Sequence, residues 1–442
     1  MNGKRRLKMK QLTRLFIPIC LETLFYMLSG MVDTLMLSAV GDYAVGAVGT
    51  ANSYIGIFII MFSIISSGMV SVMTQNIGAG RPGVAYQARQ LGLLFNAVAG
   101  VLMAVFLFSG AGAILRMVGI ADALYEPALI YLKIVGGGCI LNAVIPIFSS
   151  YLRAFGYTKQ PLYATIVGNI ANFVMNAVFL FVLHKGVAGV AAATVISKIL
   201  NLCIVLYFSH KLISAKNSTE RIANKTVLGQ IVKVGLPSAC ETALYNVAMM
   251  LVIRFLNQMD AEGLNVTARS YTATISNFSY CVGAALAQAN AIMTGWHIGA
   301  GELEECDRGT KQAAFVGVCV AVCMETAIVL GSGFIMPLFT DNPEMTALVR
   351  KLLAIDIVLE IGRVTNLVFG QALKTSGDAV FPAVIAAVFM FVFAVGGTWL
   401  FGISMGLMAV GAYIGLASDE CVRAVGMVWR WKTGKWRTKK LV

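Results

Sequence analysis

The sequence predicts an all-α integral membrane protein of twelve transmembrane helices, built as two six-helix lobes related by a parallel internal repeat. Three observations predict it. First, 58% of the 442 residues are hydrophobic and 12% are charged, with a mean hydropathy of +0.79. Soluble domains carry about 25% charged residues, so this chain holds more apolar surface than a water-soluble core can hide. Second, short motifs return at a near-constant offset. Pro18, Glu22, Thr23 and Tyr26 recur 219 positions later as Pro237, Glu241, Thr242 and Tyr245, and Ile77-Gly78-Ala79-Gly80 recurs 221 later as Ile298-Gly299-Ala300-Gly301. Gly156 and Pro161 meet Gly377 and Pro382 in the same register. An offset of half the chain means two copies of one unit, a signature of many transporters. Third, the net charge of +13 is one-sided: with a cytoplasmic N-terminus, 25 of the 34 Lys and Arg fall at inner loops and tails. The positive-inside rule then places both termini in the cytoplasm.

Taken in order, apolar stretches long enough to cross a hydrocarbon core of roughly 30 Å lie near 14–38, 45–75, 91–115, 128–150, 162–183 and 187–209, then 232–256, 264–294, 312–336, 352–373, 380–400 and 403–428. Six per copy leaves both copies in one orientation, hence parallel rather than inverted repeats. The boundaries follow: an amino lobe over 1–209, a polar cytoplasmic linker over 210–230, and a carboxyl lobe over 231–442 ending in a basic cytoplasmic tail. The basic leader and apolar run at the N-terminus resemble a signal peptide. The run is long, contains Glu22 and Asp33 and lacks a small-x-small cleavage site, so it reads as the first, uncleaved span. The IGAG segments and the Gly156/Gly377 positions read as tight turns between spans.

Several function classes fall away. The basic balance is explained by topology, so nucleic acid is not an expected partner. Nothing fits GxxxxGK[ST], HExxH or CxxC, and His184, His210 and His297 are scattered at span ends. Nine cysteines lie mostly inside apolar spans, where they act as small hydrophobes. The expectation is no enzyme and no cofactor.

Chemistry should sit where ionisable groups enter spans, each at about 2.5–3.5 kcal/mol on insertion scales. These groups are Glu22, Asp33, Lys198, Glu241, Glu325, Asp356, Glu360 and Arg363. Glu22, Tyr26, Ser29 and Asp33 step by 4, 3 and 4, forming one polar stripe on the first helix. Asn169, Asn172 and Asn176 share a face of the fifth span, and Thr194 and Lys198 a face of the sixth. Asp33, Asn176 and Thr194 all lie roughly 8–12 Å below the outer surface at 1.5 Å per residue. A carboxylate, amide oxygens and a hydroxyl at one depth suit a proton or a small hard cation; the alternative is an interhelical network that only joins helices. Lys198, one turn deeper, is a candidate modulator that could neutralise Asp33. Glu360 and Arg363, three apart, are equally readable as an internal ion pair. Glu325 has no supporting pattern and receives no role.

Pro18 to Val48, with Val32-Asp33-Thr34, Gly41 and Ala44-Val45-Gly46-Ala47-Val48-Gly49, resembles the first helix of the multidrug and toxic compound extrusion (MATE) family. The duplicated twelve-span layout and the Lys374-Thr375-Ser376-Gly377-Asp378 turn are similar to it as well. The resemblance implies cation-coupled antiport through two lobes that alternate access. It also implies an amino-lobe cation or proton coupling site at Asp33, Asn172, Asn176 and Thr194, with no metal beyond Na+ there. Asn176 departs from the family pattern, which has a carboxylate at that position, and this favours H+ over Na+ as coupling ion. At the repeat offsets Asp33 corresponds to Val252, and Asn172 and Asn176 to Phe393 and Gly397, so coupling should be asymmetric.

The expected function is a secondary active antiporter that exports organic, cationic small molecules in exchange for protons or sodium ions. A lipid-linked saccharide flippase of the same wider superfamily is the alternative. It would need a strongly cationic cavity, whereas Lys198 and Arg363 are the only cations placed inside spans. A membrane-embedded enzyme or receptor is a third class, disfavoured by the duplication and the lack of catalytic clusters. Candidate substrate-cavity residues are Glu22, Tyr26, Glu241, Tyr245, Asp356, Glu360 and Arg363, with 22 methionines available for adaptable packing. The expected partners are membrane lipid and a small-molecule substrate, for a monomer that is multi-pass in the cell membrane.

Overall fold

A computed structural model describes residues 2–118, 120–213, 220–260 and 263–442; the side chains of 2–9, 42 and 118 fall outside the description, as does 214–219 of the expected linker. Among the described residues every regular element is helical: α1 (Asn2–Ser38), α2 (Asp42–Gly78), α3 (Pro82–Val118), α4 (Asp122–Gly137), α5 (Cys139–Ala154), α6 (Lys159–Ala177), α7 (Gly186–Leu212), α8 (Asn224–Met259), α9 (Leu264–Gly299), α10 (Leu303–Ile335), α11 (Pro343–Ser376), α12 (Val380–Phe389) and α13 (Met408–Lys432). π-helical turns extend α6 over Val178–Val182 and α12 over Met390–Val395 and Thr398–Ser404.

Eight described helices are long and apolar enough to cross a membrane, nine if α4 and α5, bent by 41° at their junction, form one span. This is fewer than the twelve spans expected. Helices α9, α11 and α13 fall outside that set because they carry the polar residues: α11 holds Asp356, Glu360, Arg363 and Lys374, and α13 holds Asp419, Glu420 and Arg423. The helices least apolar in sequence are the ones that build the charged interior described below.

The chain divides into two compact units, residues 17–235 and residues 1–16 with 236–442. In the amino-side unit Ala44, Ala47, Ala51 and Ile55 run down one face of α2 and are buried against Leu107, Leu115 and Leu132 of α3 and α4. Small residues matter because lipid supplies no hydrophobic push between helices, so close van der Waals approach must hold them. In the carboxyl-side unit Val252 and Leu256 of α8, Ile275 of α9, Leu352 and Leu353 of α11 and Tyr413 of α13 form the corresponding core. Helix α11 starts cleanly: the Asn342 carboxamide oxygen accepts from the Glu344 and Met345 N–H groups, with Pro343 in the first turn.

The turns read from glycine are observed. Gly80 and Gly301 adopt φ of 74° and 76°, and Gly156 and Gly377 adopt 84° and 96°. Each closes its helix with the same pair of bonds, as in Gly80 N–H to Ile77 O with Arg81 N–H to Asn76 O, and Gly301 N–H to Ile298 O with Glu302 N–H to His297 O. A left-handed residue at this position satisfies the last carbonyls at no Cβ cost only when it is glycine.

Candidate functional site

In the amino-side unit the first cluster joins α1 to α6. Asn176 Nδ2 donates to Asp33 Oδ1 at 2.7 Å and lies 3.2 Å from Asn172 Oδ1. Asn176 is fully buried and its carbonyl oxygen has no hydrogen-bond partner. Asn169, two turns before Asn176, donates to the Phe25 carbonyl at 2.8 Å and fastens the same two helices. The three asparagines thus share the face their spacing predicted, and Asp33 meets it. Asn176 sits just before the π-helical turn, where the added residue per turn rotates the rest of the helix; such turns occur often at functional sites.

Thr194 joins less directly. Its hydroxyl donates to Val190 O at 2.9 Å, and its contact with the cluster runs through Tyr131 of α4, which engages Thr194 and Asn52 and lies within electrostatic range of Asp33 and Tyr26. Tyr131 and Asn52 were not singled out from sequence, because neither belongs to a polar stripe of its own helix. Lys198 does not ion-pair with Asp33. Its ammonium donates to Asn142 Oδ1 at 2.9 Å and acts on Asp33 only at longer range. Tyr26 is 72% exposed and enters no hydrogen bond with Glu22.

Glu22 is committed elsewhere: Arg153 at the end of α5 donates to its Oε1 at 2.6 Å. The carboxyl-side unit holds the matching pair, Lys374 at the end of α11 with Glu241 of α8 at 2.8 Å. The carboxylates are 219 apart and the cations 221 apart. The spacing of residues within one helix does not encode either partnership.

The carboxyl-side unit contains a cavity of about 460 Å³ between α8, α9, α11 and α13. Of the substrate-cavity candidates, Glu241, Tyr245, Asp356 and Arg363 line it, and Tyr280 and Asn366 add to the wall. Glu22 and Tyr26 belong to the other unit. Arg363 pairs with Glu360, as the three-residue spacing allowed, and lies 3.7 Å from Glu420. Arg423 holds Asp419 at 2.7 Å and Glu420 at 2.8 Å. This network depends on close contact of α11 with α13: a Cβ at Gly362 would fall 2.7 Å from the Cys421 backbone nitrogen. Asp419, Glu420 and Arg423 were overlooked, although their i,i+3 and i,i+4 spacing inside an apolar stretch was a usable signal.

Behind the cavity wall Glu325 of α10 approaches Asp356 and Glu360, with one oxygen of each lying within 4.8 Å of the others. Glu325 is fully buried and neither of its oxygens has a hydrogen-bond partner. The residue left without a role is therefore a fully buried acid beside two others. Three carboxylates this close repel one another, and a proton or a cation among them would relieve that.

Comparison with known proteins then bears on what these sites belong to. The MatE family model matches the chain over residues 18–178 and 237–400. An uncharacterized transporter, YisQ of Bacillus subtilis, is 32% identical over 96% of this chain and 94% of its own length. A probable multidrug resistance protein, NorM of Thermotoga maritima, is 21% identical over 98% of this chain and 94% of its own. Among solved structures, the outward-facing conformation of a multidrug resistance MATE family transporter of the MOP superfamily is similar with a TM-score of 0.84 at 20% identity, covering 97% of this chain and 96% of that one.

Proposed function

The chain belongs to the MATE family of multi-pass membrane transporters, and from that premise we propose that it is a proton-coupled antiporter exporting organic small molecules. In this reading twelve spans form two six-helix lobes that alternate access in the cell membrane, with both termini cytoplasmic and the protein a monomer. The observation that carries it is the Asp33–Asn176 contact of 2.7 Å. Asp33 has no Lys or Arg within ion-pairing distance among the described residues; an amide N–H faces its charge instead. The same amide points its carbonyl away from the carboxylate. Sodium held by both groups would require the amide to turn over, whereas a proton on Asp33 requires no rearrangement. Asn172, Thr194 and Lys198 shape this site, and the cavity of the carboxyl-side unit receives the solute. Catalysis has no place in this reading, and the lipid-linked saccharide flippase is not favoured: the cavity's four basic residues are balanced in number by four acids rather than massed for a pyrophosphate.

The test uses proteoliposomes in which a sodium gradient and a pH gradient are imposed separately. Uptake of dye driven by the pH gradient alone, and lost in Asp33→Asn, is the expected result. Drive by sodium at fixed pH would replace the proton with sodium, and full coupling in Asp33→Asn would remove Asp33 from the mechanism. A second reading places coupling in the carboxyl-side unit, and the unpartnered oxygens of Glu325 beside Asp356 and Glu360 favour it. It predicts that Glu325→Gln, not Asp33→Asn, uncouples transport.

A further inference from the structure

Eight charged residues line the cavity of the carboxyl-side unit, four acids and four bases. Six are accounted for by one another or by close neighbours. Lys374 is held by Glu241 at 2.8 Å, Arg423 by Asp419 and Glu420, and Arg363 by Glu360 and Glu420. Two remain. Arg269 of α9, half-buried, has no carboxylate within 4.0 Å among the described residues; its Nη2 lies 3.8 Å from the Met249 thioether sulfur. Asp356 is 2% exposed, and its Oδ2 has no hydrogen-bond partner.

The two unmatched groups have opposite sign and face one cavity. Asp356 lines the cavity together with Ser276 of α9, which lies seven residues beyond Arg269. At 1.5 Å per residue Ser276 lies about 10 Å from Arg269 along α9. Tyr413 lies within electrostatic range of both, and Tyr245 and Tyr280 complete an aromatic wall. A half-buried guanidinium facing a soft thioether gains little, while a carboxylate offered by a ligand would give it a charge-assisted, bidentate partner.

We propose that Arg269 anchors an anionic group of the transported solute, so that the cavity selects zwitterionic organic molecules carrying a carboxylate at one end and a cationic nitrogen at the other. Asp356 takes the cationic end. This rests on the cavity being where the solute binds, and it revises the expectation of a plainly cationic substrate.

The probe pair is rhodamine 110, which carries a free carboxylate, and rhodamine 123, its methyl ester. Binding of each is measured by equilibrium dialysis against the full chain in lipid nanodiscs, without any gradient, so that failure of coupled export and failure of this assignment are separate results. Wild type should bind the acid more tightly than the ester by about tenfold or more, the size of one charge-assisted contact. Arg269→Gln should erase that preference, and Arg269→Lys should keep most of it. Wild type that binds both dyes equally, prefers the ester or fails to bind the acid overturns the proposal. So does an Arg269→Gln protein that retains the preference. Because the wild-type comparison stands alone, misfolding of a variant leaves the proposal open to refutation.

Discussion

The two units solve the problem of holding charge inside a membrane in opposite ways. The amino-side unit surrounds the carboxylate of Asp33 with neutral polar groups, the Asn176 amide donating to it at 2.7 Å. The carboxyl-side unit gathers Glu360, Asp419 and Glu420 and answers them with Arg363 and Arg423. A lone carboxylate with neutral neighbours can change its charge without disturbing a partner. A network of interlocked ions resists such change and fixes the shape of a wall instead. On the function proposed above, the first unit would take up and release a proton and the second would recognise the solute. What they have in common, the glycine turns and the pairs Glu22–Arg153 and Glu241–Lys374, is scaffold.

The strongest way to break this comparison is Asp33→Asn. Gradient-driven transport in proteoliposomes should fall to the level of protein-free vesicles while the protein stays monodisperse and helical by circular dichroism. Next come the matched ion pairs. Each is mostly buried, with side-chain exposures of 17% and 12% for Arg153 and Glu22 and 13% and 21% for Lys374 and Glu241. Single changes such as Glu22→Gln or Lys374→Met should therefore cost about 1–3 kcal/mol, between the values for exposed and fully buried pairs. If both are scaffold, thermal unfolding should report similar losses in the two units, and the exchange of Glu241→Lys with Lys374→Glu should recover part of the loss.

A smaller effect sharpens the difference at the ends of the helices. Asp260, outside the spans, accepts from the Leu264 N–H at 2.8 Å and the Asn265 N–H at 3.0 Å and so caps α9. The corresponding start of α2 has Gly41 and no side-chain cap. Burial alone would raise the Asp260 pKa, but the hydrogen bonds from the Asn265 side chain and backbone and from Leu264 and Gly263 outweigh it and hold it below the usual carboxylate value. Because the folded value is depressed, the cap's contribution is present above the unfolded pKa of about 4 and is lost as the pH falls through the folded one. Asp260→Asn should lower stability by about 1 kcal/mol at neutral pH, with the gap to wild type closing toward pH 3. A gap that widens on acidification would contradict the cap. The smallest expected change is Glu325→Gln, which removes one of three crowded carboxyl groups. Its melting temperature should stay level or rise, with coupled transport intact. Loss of coupling there would move the proton task into the carboxyl-side unit.

Much of this was legible in sequence because helices in lipid advertise themselves. Apolar runs gave the elements, the glycines gave the turns, and the 3–4 spacing of Asn169, Asn172 and Asn176 gave a face that does meet Asp33. Partners from distant helices were not legible. Tyr131 reaches Thr194, Asn142 takes Lys198, and Glu325 meets Asp356 only through tertiary packing, and no periodicity within one helix encodes a neighbour on another. The polar character of α9, α11 and α13 cut both ways: it makes them poor spans by composition, yet it is the material of the cavity they enclose.

The matched ion pairs differ in one respect with practical reach. The amino-side cation is an arginine, inert to acylating reagents, while its counterpart Lys374 is a primary amine that lines the cavity and is held by a single carboxylate. An amine-directed label small enough to enter would mark one unit and not the other at this position. Protection of Lys374 by a bound molecule would then register occupancy of that cavity by mass spectrometry, with no substituted residue and no knowledge of the cargo. The protein carries its own reporter.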